Sequence, residues 1–192
     1  RMTRHLYEQI FSLQGLGIAL GLMLVATHLF ALLRPAATQE FLKTFPRHKE
    51  IGIALMAVNF AWWFWIISNV DLGEFYTVRR PLQMILPVMF VLVIVFVDEF
   101  LAARALGFFL LLLACPLLDV AFQKPPAGRI LIPIICYLWV GFALFWVGMP
   151  YLLRDQIAWV SASAKRWQGM AMAGLVYGAA VLICALVFWK GY

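Results

Sequence analysis

His28 is the residue best placed to do chemistry in this chain. An imidazole inside a long charge-free apolar stretch can ligate a metal, a haem or a chlorophyll-type pigment, or relay protons. It shares a stripe with other non-aliphatic residues. Gln14, Gly21 and His28 are seven apart, with Gly17 between the first two, so all four fall on one helical face. The plainer use of His28 is a hydrogen bond to a neighbouring carbonyl, or a reach to the membrane interface. That use is the expectation here, because a bis-histidine haem needs a second histidine and His5 and His48 both lie outside the apolar stretches.

Asn59 and the run Trp62-Trp63-Phe64-Trp65 form a second constellation. A cofactor stacked on the indoles would make His28, Asn59, Trp62 and Trp63 its binding set, although aromatic packing between helices is the commoner use of such a run. Asn59 is expected to bond across to another helix, a contact worth about 0.6–2 kcal/mol. Asp98, Glu99 and Arg104 are the densest ionisable cluster beside an apolar stretch. They would either bind or gate an ion, or form a turn at headgroup depth whose charges partly cancel. The turn is expected, since Arg104 can snorkel.

No metal site or catalytic residue is expected. The three histidines are far apart, and Cys115, Cys136 and Cys184 lie in apolar runs without C-x-x-C spacing, which reads as buried inert thiols. H-E-x-x-H, G-x-S-x-G, Walker A and G-x-G-x-x-G patterns are missing, so the sequence leans away from an enzyme. It names no cofactor.

The elements that must carry these residues follow from composition. The chain is 65% hydrophobic and 12% charged, against about 45–50% and about 25% in soluble domains. That predicts an all-α membrane protein, a bundle of about six transmembrane helices forming a single domain over 1–192, with spans at about 9–33, 51–70, 81–97, 100–118, 130–153 and 168–189. The first span has twenty-five residues without a formal charge, about 37 Å of helix for a hydrocarbon core of about 30 Å. It is too long and too uniformly apolar for a cleaved signal peptide. Residues 81–122 as one helix would reach about 63 Å, so the chain must turn at Asp98-Glu99, with Asp98 capping the next helix. Thr3 is the expected cap of the first span. Thr38–Phe45 and Arg154–Trp167 read as short interfacial helices in two loops.

Gly17 with Gly21, and Gly174 with Gly178, are G-x-x-x-G pairs that let a neighbouring backbone come close. The net charge of +6 comes from basic residues beside span ends, which suits lipid phosphates and argues against nucleic acid as a partner. Sparse intramembrane charge and glycine-paired helices point to a non-catalytic subunit or scaffold of a larger membrane assembly, with other membrane subunits or a second copy as partners. Two alternatives stand beside it. One is a small channel or transporter lined by His28, Asn59 and the Asp98/Glu99/Arg104 cluster. The other is a binder of a lipid-like, haem or pigment cofactor through His28 and Trp62–Trp65.

Overall fold

The computed structural model describes Tyr7 and residues 10–70, 72–97, 99–122 and 124–192. Every regular element among them is helical: α1 (Leu13–Leu33), α2 (Pro35–Thr44), α3 (Lys49–Asn69), α4 (Arg79–Phe96), α5 (Leu101–Ala121), α6 (Leu131–Gly148), α7 (Tyr151–Ser161) and α8 (Ala164–Val187). Short 3-10 turns at Phe45–Arg47 and Gly73–Val78 lead into α3 and α4. By length and composition, α1, α3, α5, α6, α8 and α4 with its lead-in turn can each cross a membrane. The fold is therefore all-helical with six such helices.

The helix ends follow local chemistry. Ser12 is extended, and its hydroxyl accepts the Gly15 N–H at 3.0 Å, which caps α1. Thr3 and Gln9, where the sequence suggested the cap and the span's start, lie outside the described residues. Pro35 opens α2 and Pro81 sits in the first turn of α4, positions where a missing N–H costs nothing. α4 starts at Arg79, two residues earlier than expected. The expected span over 130–153 is broken instead: α6 stops at Gly148, and Pro150, which cannot donate to a continuing helix, starts α7. The short helix expected over 154–167 is instead Tyr151–Ser161, and Lys165 and Arg166 belong to the first turn of α8.

α5 is the central helix, packed against α6, α3 and α1. It has the small residues a central helix needs: Ala102, Ala103, Ala105, Gly107 and Ala114 are all buried. A Cβ on Gly107 would stand 2.9 Å from the Ala143 carbonyl of α6, and one on Gly52 of α3 would stand 2.8 Å from the Ala102 nitrogen. α4 packs on the outside of α3 and contributes no buried residue.

α1 and α8 form a tight antiparallel pair on the other flank. Gly17 faces Ala185 and Trp189, Gly21 faces Leu182, Gly178 faces Leu24, and Gly174 faces His28. A Cβ on Gly21 would come within 2.9 Å of the Leu182 nitrogen, and one on Gly178 within 2.7 Å of the Leu24 Cβ. Glycine thus supplies the close approach on four successive turns, twice from each helix. Tyr177 donates to the Leu131 carbonyl, and Trp189 donates to Ala127 at 2.9 Å, tying α8 back to the start of α6.

Candidate functional site

His28 lies in the penultimate turn of α1, and its geometry fixes the tautomer. Its Nδ1 is 2.8 Å from the Leu24 carbonyl, which can only accept, so Nδ1 carries the proton in the neutral ring and Nε2 is left as an acceptor. Nε2 has no partner among the described residues. The imidazole occupies the space above Gly174: a Cβ there would strike Cδ2 and Nε2 together. Beside it is a half-open cavity of about 510 Å³ lined by α1, α2, α7 and α8, with Thr27, His28, Phe41, Trp167 and Met170 in its wall. Trp167 donates to the Ala31 carbonyl at 3.0 Å.

Asn59 is only 3% exposed. It donates from Nδ2 to the Ala105 carbonyl at 2.8 Å, joining α3 to α5, while its Oδ1 is buried without a partner among the described residues. The indoles after it diverge, because successive helical residues are about 100° apart. Trp62 turns inward, donates to the Tyr7 hydroxyl at 3.0 Å and meets Phe109 edge-on. Trp65 also reaches Tyr7, with ring centroids 5.7 Å apart. Trp63 turns outward and is 48% exposed. Tyr7 itself is buried, and its backbone N–H is held by the Asp119 carboxylate at 3.0 Å. Burial pushes the Tyr7 phenol above its ordinary value; the Trp62 N–H pulls it down, and Cys115 and Asp119 add to the rise.

The structure does not bring the proposed cofactor set together. Trp62 is tied to Tyr7, before the start of α1, whereas His28 lies fifteen residues beyond Leu13, about 22 Å along the axis. His28 opens on a cavity at one end of the bundle, Asn59 and Trp62 are interior contacts of α3, and Trp63 is on the outside.

The third cluster falls at the turn from α4 to α5. Asp98 lies outside the described residues; Glu99 is exposed, and Arg104 is half-buried with its Nε enclosed and without a partner among the described residues. Phe100 precedes α5 with φ 55°, a left-handed conformation uncommon for a bulky side chain. The guanidinium of Arg47 stands 5.7 Å from its ring and that of Arg154 stands 5.9 Å away, within cation–π range. Arg154 also pairs with its neighbour Asp155 at 2.8 Å. The cations over this turn therefore come from α7 and the Phe45–Arg47 turn, partners that sequence spacing does not reveal.

Among the described residues no three of His, Cys, Asp and Glu converge as a metal site. Of the cysteines, Cys136 is buried and Cys184 half-buried, but Cys115 faces outward, contrary to the expectation of three buried thiols. An apolar exterior imposes no inward preference on a thiol. Sequence reasoning also passed over Tyr7, whose hydroxyl accepts from Trp62, and the indoles of Trp167 and Trp189, which donate to the Ala31 and Ala127 carbonyls. Trp167 was readable only as an interfacial residue. Comparison with known proteins finds no family, no curated protein and no solved structure that matches this chain.

Proposed function

We propose that this chain is a multi-pass integral membrane protein that acts as a non-catalytic subunit or scaffold of a larger membrane assembly. Its six long helices cross the bilayer as one domain, and α2 and α7 lie in one interface. The observation that carries this reading is how the polar side chains of the long helices are used. Asn59 ties α3 to α5, Gln83 donates to Ser68 and ties α4 to α3, Tyr177 ties α8 to α6, and Trp167 ties α8 to α1. Each such bond joins two helices in a medium that offers no competing water. Groups so engaged serve architecture, which supports work done by the outer surface.

The side that best suits a partner is the one formed by α3 and α4. Between them opens an apolar groove of about 250 Å³ lined by Ala57 and Ala61 of α3 and by Pro87 of α4. Two small residues four apart let another helix approach closely, so a transmembrane helix of a second membrane subunit is the occupant this groove supports. Gentle detergent extraction followed by mass measurement tests the reading. A complex with a stoichiometric further subunit, lost on Ala57→Phe and Ala61→Phe in a chain that still folds, is expected. A stable lone monomer, or a complex indifferent to both substitutions, would overturn it.

A further inference from the structure

The cavity beside His28 has a chemistry of its own, independent of whether the chain has partner subunits. Its wall is apolar apart from four side chains: Thr27, His28, Thr38 and Trp167. The donors among them are already engaged. Thr27 Oγ1 donates to the Met23 carbonyl at 2.8 Å, Thr38 Oγ1 to Arg34 at 2.9 Å, Trp167 Nε1 to Ala31 at 3.0 Å, and His28 Nδ1 to Leu24 at 2.8 Å. What remains is acceptor capacity alone, the lone pair of His28 Nε2 and those of the Thr27 and Thr38 hydroxyl oxygens. No carboxylate, lysine or arginine is in the wall.

We infer that this cavity is a binding site for a neutral lipid-like alcohol, whose hydroxyl donates to His28 Nε2 and whose hydrocarbon lies along Phe41, Trp167 and Met170. Three properties select that class. The volume of about 510 Å³ lies within the range of about 300–1,000 Å³ typical of small-molecule sites. A formal charge on the ligand would meet no counter-charge and would have to be desolvated among apolar side chains. A carbonyl or ether offers only acceptors, which would leave Nε2 unsatisfied, whereas a hydroxyl supplies the missing donor. The position also fits: α2 and α7 line the cavity near one end of the bundle, and the proposed function sets these two helices in one interface, where an amphiphile keeps its polar end.

The test uses the full chain in detergent micelles, with 1-dodecanol and its methyl ether as probes. Retention of each probe is read by mass spectrometry after size exclusion and referenced to empty micelles. The parent is expected to favour the alcohol about tenfold, the size of one net hydrogen bond. His28→Phe, which keeps a flat ring over Gly174, should hold both probes equally. Ala37→Trp, a change at an exposed wall residue of α2, should reduce both to the micelle background. In the unmutated chain, the nitrogen-15 resonance of His28 Nε2 should move with the alcohol and not with the ether, a readout that needs no variant to fold. Equal retention of the two probes by the parent would overturn the proposal, as would a tenfold preference surviving His28→Phe or an Nε2 resonance indifferent to the alcohol.

Discussion

Adding one methyl group at Gly174 should loosen the α1–α8 pair through His28, whose ring supplies the three nearest atoms. A Cβ at 174 would collide with the imidazole. The ring must then swing off α8 and give up its Nδ1–Leu24 bond. Overpacking of this kind costs about 1–3 kcal/mol, and the lost bond adds about 0.5–1.5 kcal/mol. Alanine returns about 0.5–1 kcal/mol through its better helix propensity. The net for Gly174→Ala is a loss of about 1–3 kcal/mol.

Gly169 provides the control on the same helix. A Cβ there meets nothing within 4 Å, so Gly169→Ala should be neutral or stabilising by up to about 1 kcal/mol. In a chain of this size the two variants should differ in Tm by about 5–10 °C. Thermal unfolding in detergent, followed by circular dichroism, measures the difference. The His28→Ala/Gly174→Ala double variant should be less destabilised than the sum of its singles, because the new methyl enters the space the ring has left. Equal melting of Gly174→Ala and Gly169→Ala, or strict additivity in the double variant, would refute the reasoning.

Two further outcomes follow from the α3 contacts. Asn59→Leu should cost only about 1 kcal/mol in unfolding stability, because it removes the unpartnered Oδ1 together with the Ala105 bond. Asn59→Asp should cost several times more, since it sets a carboxyl oxygen against the Ala105 carbonyl. Tyr7→Phe leaves the Trp62 N–H without its acceptor and should cost about 1–3 kcal/mol. It should also remove an alkaline limb. The Tyr7 phenol is raised above 10.0 in the folded chain, so its contribution is complete below about pH 10 and is lost as pH rises through the higher folded value. A pH series of melting points for the parent and Tyr7→Phe reads both effects.

The long helices were legible in the sequence because a run of apolar residues has few other uses at that length. The turn at Asp98-Glu99 followed from length alone. The glycine stripe of α1 was also readable, and Gly17 and Gly21 do meet α8. Which helix is central was not, since hydropathy separates inside from outside only when the outside is water. The buried alanines of α5 were the one available signal. Trp62 to Trp65 read as a unit because they are consecutive, but helical geometry sends Trp62 and Trp65 in and Trp63 out. The break at Pro150 was visible as a proline inside an apolar run, whereas Pro87 and Pro116 stand inside α4 and α5, which continue through them. The cavity had no sequence signal: its wall comes from two pairs of helices, α1 with α2 and α7 with α8, more than a hundred residues apart.

The measurement closest to the central claim is labelling of single cysteines from the two faces of sealed vesicles, in a chain freed of its native thiols. Six crossings place the connection holding Thr44 and the one holding Ala162 on one face, and those holding Thr77 and Ala127 on the other. A membrane-impermeant maleimide should modify Thr44→Cys and Ala162→Cys from the first face only, and Thr77→Cys and Ala127→Cys from the second only. Modification of all four from one face, or a chain that stays in solution once detergent is removed, would contradict it.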